Sequence, residues 1–272
     1  MDPIARQELK LCVAFVAWQA HPQWPLVVVG NRDEAFERPS DPAHWWADEE
    51  GVFGGRDMRH GGTWLGVTRE GRWSLVTNFR DVAAFESQGR SRGELVRHFL
   101  TSEQPPAKWV EGLALRAHTY NTYNVLVGDA GGVVYHGDRA PGPQALPSGV
   151  HGLSNALLNT PWPKVEDGRR RLSQHIAQSG AEDMQALATL LGDRASFPDD
   201  VLPDTGMGIE WERRLSPLFI TDPEGHYGTR ATTVVAIDVT GGLRFLERRW
   251  APDGSLAGET HESFQVDSWA SS

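Results

Sequence analysis

The chain has 272 residues, 39% hydrophobic and 23% charged, enough for a substantial buried core of ordinary globular composition. Its net charge of −10 argues against broad nucleic-acid binding, which needs a basic face to displace counterions. The single cysteine excludes an internal disulfide, and no stretch approaches the roughly 20 apolar residues of a membrane-spanning helix.

Residues 1–11 read as an extension. The first twenty residues carry charges up to Lys10 and lack a clean signal-peptide apolar region, so a cytoplasmic location is expected. Residues 12–18 and 26–30 are apolar and partly β-branched, and the breaker-rich 21–25 between them predicts two strands joined by a turn. Residues 31–62, with Pro39, Pro42, Gly54, Gly55, Gly61 and Gly62, read as a long irregular segment of the kind that carries function. Residues 63–68 and 73–78 flank a turn and predict a hairpin.

Ser91 is a candidate cap for a helix over 92–100. A second helix is predicted over 105–117, with Val110, Leu113, Ala114 and Ala117 on one face. Residues 123–129 and 133–138 form another hairpin, and a Pro/Gly loop leads to a short strand at 151–155. Helices follow at 162–178 and 181–192, the latter with Met184, Leu187, Leu190 and Leu191 as its apolar stripe. Residues 193–208 read as loop, 231–238 and 243–250 as a strand pair, and 262–267 as a last strand. No linker divides the chain, so residues 12–272 read as one domain. Strands and helices arrive in blocks with hairpin connections. That order predicts an α+β fold of two stacked, largely antiparallel sheets between helix layers.

Cys12 is the most informative residue. A thiol attacks as thiolate, and at its usual pKa near 8.5 it needs a base or a nearby cation. A free α-amine serves as that base if Cys12 is the first residue of the mature chain. Arg32 can supply the charge, and Asp33 can orient the amine. The competing reading of Cys12 is a small buried apolar side chain on a strand.

Gly30-Asn31-Arg32-Asp33-Glu34 packs polar groups directly after an apolar strand. They must be exposed at its end or locked in a network. Gly61-Gly62-Thr63-Trp64-Leu65-Gly66 permits close backbone approach, as at a binding wall, but lacks the lysine of a phosphate loop. Asn78 and Asn155 end strands, where amide donors can stabilise an oxyanion; the competing reading is turn-forming asparagine. Arg230 just precedes a strand, where it can bind a substrate carboxylate or tune the thiol, or else sit as a surface arginine. None of the ten histidines falls in a close metal-binding pair, so no metal site is expected. Arg169-Arg170-Arg171 reads as a solvated helix face.

Taken together, these segments resemble the NRDE family, which includes the transport and Golgi organisation protein 2 homologues. The pieces run in order: Asn31-Arg32-Asp33-Glu34 with Arg38-Pro39, Gly61–Gly66, Thr77-Asn78 and Arg92-Gly93-Glu94-Leu95-Val96. Then come Gly152-Leu153-Ser154-Asn155-Ala156, Thr160-Pro161-Trp162 and Tyr227-Gly228-Thr229-Arg230. The resemblance implies a four-layer αββα sandwich of the N-terminal-nucleophile hydrolases. Its nearest catalytic analogues are the cysteine-type choloylglycine and penicillin V amidohydrolases.

Carried over by position, Cys12 attacks a carbonyl and its own amine relays the proton. Asp33 holds the amine, Arg32 and Arg230 tune the thiolate, and Asn78 and Asn155 form the oxyanion site. Family members begin Met-Cys, whereas here Leu11 precedes the cysteine. The expectation is a true start at a non-AUG codon written as Leu11, or autocleavage between Leu11 and Cys12.

Two functions follow from the resemblance. One is hydrolysis of a small-molecule amide or other acyl compound without any cofactor. The other is non-catalytic carriage of haem, lipid or acyl-CoA, which tolerates a blocked Cys12.

Overall fold

The computed structural model describes residues 11–80 and 89–269; residues 1–10 of the extension lie outside these. The chain builds thirteen strands among the described residues, and they form two antiparallel sheets. Strands β1 (Cys12–Trp18), β2 (Leu26–Ala35), β10 (Gly149–Leu153), β11 (Tyr227–Ile237), β12 (Gly242–Trp250) and β13 (Leu256–Gln265) make the first, in the order β10-β1-β2-β11-β12-β13. The second runs in chain order: β3 (Ser40–Trp45), β4 (Val52–Asp57), β5 (Leu65–Thr68), β6 (Trp73–Asn78), β7 (Tyr123–Asp129), β8 (Gly132–Gly137) and β9 (Gln144–Ala145).

The period-2 alternation of the strands divides their side chains between two cores. Ala14, Val16, Leu26 and Val28 meet Phe53, Leu65, Leu75 and Leu126 of the other sheet. On the opposite face, Val13, Phe15, Val27 and Val29 pack against Leu172 and Ile176 of α3 (Pro163–Ser179) and Leu187 of α4 (Met184–Thr189). The outer face of the second sheet, through Val76, Val125 and Val127, meets Leu95 and Phe99 of α1 (Gly93–Leu100) and Val110 and Leu113 of α2 (Pro106–Ala114). The result is the four-layer αββα sandwich that the element order predicts. The helix α3 lies so close on β1 that a Cβ at Gly168 would stand 2.0 Å from Phe15 Cζ.

Four sequence expectations need correction. The segment 31–62 is not irregular: it holds the second half of β2 and all of β3 and β4. Its prolines and glycines suit an edge position and close inter-strand contact, since Pro42 sits in edge strand β3. Ser91 does not cap α1; Arg92 precedes the helix without a side-chain cap, and the Ser91 carbonyl accepts from the Glu94 N–H at 3.2 Å instead. That entry is pressed against the second sheet, where a Cβ on Gly62 would lie 2.4 Å from the Gly93 carbonyl. A further helix, α5 (Ile209–Leu215), follows the 193–208 loop, and it buries only Glu212 and Leu215. So few inward positions leave no periodic apolar signal. Finally, β11 begins at Tyr227 and β13 at Leu256, both earlier than expected, because Gly228 and Arg230 in the one and Gly258 to His261 in the other interrupt the apolar alternation. Among the described residues no helix is long and apolar enough to cross a membrane.

Candidate active site

Cys12 opens β1 and pairs with Arg32 of β2, so both side chains share the face between the sheets. Alternation then sorts the polar run at the end of β2. Arg32 and Glu34 turn toward the inter-sheet side, while Asn31 and Asp33 turn toward the helix layer. Asn31 is fully buried and satisfied: its Nδ2 donates to the carbonyls of Leu191 at 3.0 Å and Leu218 at 2.8 Å, and Thr232 donates to its Oδ1 at 2.6 Å. It pins the 191–218 connection to the sheet.

Arg230 owes its position to an irregularity. Asp33 pairs with Thr229 and Arg32 with Ala231, which leaves Arg230 as the extra residue of a β-bulge. Bulges re-aim a side chain, and this one sends the guanidinium into the cavity beside Cys12. Nη1 of Arg230 donates to the carbonyls of Ala35, at 3.1 Å, and Arg38. Its Nε and Nη2 have no protein hydrogen-bond partner among the described residues. Burial and the neighbouring Arg32 both push its pKa down.

The cavity measures about 350 Å3, and Cys12, Arg32, Asp33, Asn78 and Arg230 all line it, with Trp64 from the glycine-rich segment. Glu34 bridges two of its arginines, at 3.4 Å from Arg32 and 3.5 Å from Arg38, and Arg38 also holds Asp57 at 2.7 Å. Asn155 is not part of the wall. It is fully buried behind Asn78, and its Nδ2 donates to Asn78 Oδ1 at 2.9 Å and to the Asn78 carbonyl at 3.2 Å. Accepting there turns the Asn78 amide so that its own N–H bonds stay available. The sequence expectation of two oxyanion donors thus becomes, in geometry, one asparagine at the cavity and one that orients it.

The electrostatics centre on Asp33. Thr229 donates to its Oδ1 at 2.7 Å, yet Oδ2 is buried with no hydrogen-bond partner among the described residues. Burial therefore raises its pKa from 3.8 to about 7, against the opposing pull of Thr229, Lys164 and Arg32. Burial likewise pushes the Cys12 thiol up to about 12, helped by the Asp33 charge and opposed by the Asp33 backbone N–H and by Arg32. With Leu11 attached, burial favours the protonated thiol, the weaker nucleophile.

Three supporting residues carried no individual sequence signal. Lys164, in the first turn of α3, is buried and donates to the Leu215 carbonyl at 3.0 Å. Burial, then the repulsion of Arg80, lowers its pKa to about 8. A lysine at a helix start ordinarily reads as exposed, and only its place after Thr160-Pro161-Trp162 could have marked it. Tyr227 accepts the Leu11 N–H at 2.9 Å, and burial beside Asp33 and Cys12 holds its hydroxyl protonated. Ser154 donates to the Cys12 carbonyl at 3.1 Å and fixes the strand end. Among the described residues no group of three or more His, Cys, Asp or Glu side chains could hold a metal ion.

Comparison with known proteins finds a matching family model, relatives in sequence and neighbours among solved structures. A family model described as transport and Golgi organisation 2 matches residues 11–252. The mouse transport and Golgi organization 2 homolog is 32% identical over 269 residues, covering 92% of this chain and 97% of that protein. The Drosophila melanogaster transport and Golgi organization protein 2 is 27% identical over 261 residues, covering 87% and 91%. Among solved structures, a mutant conjugated bile acid hydrolase from Clostridium perfringens aligns with a TM-score of 0.47 at 9% identity, over 94% of this chain and 92% of that one. A Caenorhabditis elegans ortholog of N-acylethanolamine-hydrolyzing acid amidase aligns with a TM-score of 0.47 at 10% identity, over 82% and 92%.

Proposed function

The chain belongs to the transport and Golgi organisation 2 family, and for the site it carries we propose hydrolysis of a C–N amide bond in a small molecule, with Cys12 as an N-terminal nucleophile. The observation that carries this reading is the orphaned Oδ2 of Asp33. A buried carboxylate oxygen without a partner is costly. A free ammonium on Cys12, one strand over from Asp33, would supply the missing donor and charge. The reading therefore requires that Cys12 be released from Leu11.

In that state the thiol proton passes to the neutral α-amine, giving the ammonium that Asp33 holds and a thiolate whose Sγ attacks the substrate carbonyl carbon. The tetrahedral oxyanion is met by the Asn78 amide, which Asn155 orients. The C–N bond breaks, and the proton held by the α-amine goes to the leaving amine. Water then attacks the thioester, its proton returning through the α-amine to the thiol, and the carboxylic acid departs. Asp33 holds the amine in line. Arg32 lowers the cost of the thiolate, and the free donors of Arg230 suit an anionic group on the substrate.

A second reading, a carrier of haem, lipid or acyl-CoA, is favoured by the arginine-walled cavity, which is present in the Leu11-linked chain, where burial favours the protonated thiol. Arg32 and Arg230 suit carboxylate or phosphate groups on such a cargo. Haem finds less to hold it: among the described residues His60 is the one histidine of the cavity wall, and it is exposed.

Intact mass of the protein from its native gene context is the first test, followed by a screen of N-acyl substrates with Cys12→Ala as control. A chain beginning at Cys12 with turnover that vanishes in the variant supports the hydrolase. A Leu11-linked chain that binds acyl-CoA or gives a haem Soret shift without turnover, unaffected by the variant, replaces it with the carrier.

A further inference from the structure

Leu11 is the residue that the hydrolase reading discards, yet it is fully buried. Its side chain fills a slot formed by Leu215, Ile220 and Tyr227, with Met207 and Trp211 packed against them. Four of these, Trp211, Leu215, Ile220 and Tyr227, also line a second cavity of about 280 Å3, so the slot and that cavity share walls. The slot and the arginine-walled cavity meet at the same strand end, joined by the Leu11–Cys12 peptide unit.

Leu11 is also an acyl group: its carbonyl carbon is bonded to the nitrogen of the proposed nucleophile. A carbonyl carbon on the nitrogen of a cysteine and one on its Sγ are separated only by the span of the small ring N–Cα–Cβ–Sγ–C. The groove that accepts the apolar substituent of the first is therefore within reach of the substituent of the second.

We propose that the slot filled by Leu11 is the acyl subsite: in the chain that begins at Cys12 it takes the apolar tail of an acyl substrate, which continues past Trp211 into the adjoining cavity. This assignment rests on the hydrolase reading for its use in turnover. The polar amine part of the substrate then occupies the arginine-walled side, and the two halves of the ligand are sorted to opposite sides of Cys12. A medium-length unbranched acyl chain fits such a channel. An acetyl group would leave the slot empty, with apolar walls that stay dry and unpartnered.

The test uses octanamide, an uncharged amide with an eight-carbon chain, as the probe, and needs no turnover. Leu11→Ala in the 272-residue chain vacates the slot. Calorimetry is expected to show at least a tenfold gain in octanamide affinity over the unsubstituted chain, and no gain for acetamide. Adding Ile220→Trp, which refills the slot, is expected to abolish the gain.

A folded Leu11→Ala chain without any gain overturns the assignment. Where Leu11→Ala does not fold, the chain begun at Cys12 decides: Ile220→Trp there is expected to cut kcat/KM for an octanoyl amide at least tenfold while sparing an acetyl amide. An equal effect on both, or on neither, refutes the subsite. Absence of turnover with the gain in binding intact would instead remove the hydrolase reading and leave the slot.

Discussion

Asp33→Asn is expected to change stability in opposite directions in the two forms of the chain. With Leu11 attached, the Asp33 pKa is raised from 3.8 to about 7 because burial disfavours its charge, and its Oδ2 has no hydrogen-bond partner among the described residues. A raised carboxylate pKa means that the native state holds more protons than the unfolded state between those values. Stability therefore falls as pH climbs from about 4 to about 7. At about 1.4 kcal/mol per tenfold the full penalty above pH 7 is about 4 kcal/mol.

Asparagine carries no charge, and its Oδ1 can still accept from Thr229. It also removes the charge that Lys164 feels, which offsets part of the gain. The net expectation at pH 7.5 is stabilisation by about 2 kcal/mol, roughly 4–8 °C in Tm, with a flatter profile from pH 4 to 7. In the chain begun at Cys12 the same carboxylate faces an ammonium. Removing it then breaks a buried ion pair and costs about 3–5 kcal/mol. Thermal melts of four proteins, with and without Asp33→Asn in each form, measure both signs. Destabilisation in both forms would refute the claim that Asp33 is an unpaired charge awaiting the Cys12 amine.

Arg230→Gln is expected to weaken a substrate carrying a carboxylate by about tenfold to a hundredfold, as befits loss of a charged hydrogen bond, while leaving an uncharged analogue unchanged; steady-state KM for the matched pair reads this. Asn78→Ala should lower kcat by about 10²–10³, the usual cost of an oxyanion donor. Asn155→Ala should act through Asn78, with a smaller loss of about tenfold and unchanged KM. Lys164→Met removes the cation that favours ionised Asp33, so the acid limb of the pH–kcat/KM profile is expected to move upward by about one pH unit in the chain begun at Cys12; an unmoved limb would separate Lys164 from Asp33.

The layered fold was legible because hairpins and amphipathic helices write their periods locally. Cys12, Arg32, Asp33, Asn78 and Arg230 stood out because polar residues at apolar strand ends demand an account, and the fold carries all five to one cavity wall. What stayed hidden depends on depth and registry. Lys164 and Glu212 look like surface helix residues, yet both are buried. The burial of Glu212 rests on its 2.7 Å pairing with Arg80, 132 positions away in sequence. Asn155 could not be told from a cavity residue because the distinction lies in which way one carboxamide turns. The glycines and prolines of 31–62 read as breakers, but their strands lie at a sheet edge and in close contact, where such residues are tolerated.

The tetrapeptide Asn31–Glu34 shows how four polar residues in a row can each do a different task. A strand offers two faces, and this one has a helix layer on one side and a cavity on the other. Asn31 and Asp33 fall on the helix side: one ties down the 191–218 connection, the other waits beneath the Cys12 strand end, where it also borders the cavity. Arg32 and Glu34 fall on the cavity side, where Glu34 holds the arginines near Cys12 in place. Inserting one residue before Asn31 would exchange the faces and bury Arg32 against apolar helix side chains without a partner. The bulge at Arg230 is what lets β11 keep Thr229 on Asp33 and still deliver a guanidinium to the opposite face. The spacing between Thr229 and Ala231 therefore matters as much as the arginine itself: deleting the bulge would align the strands perfectly and lose the site.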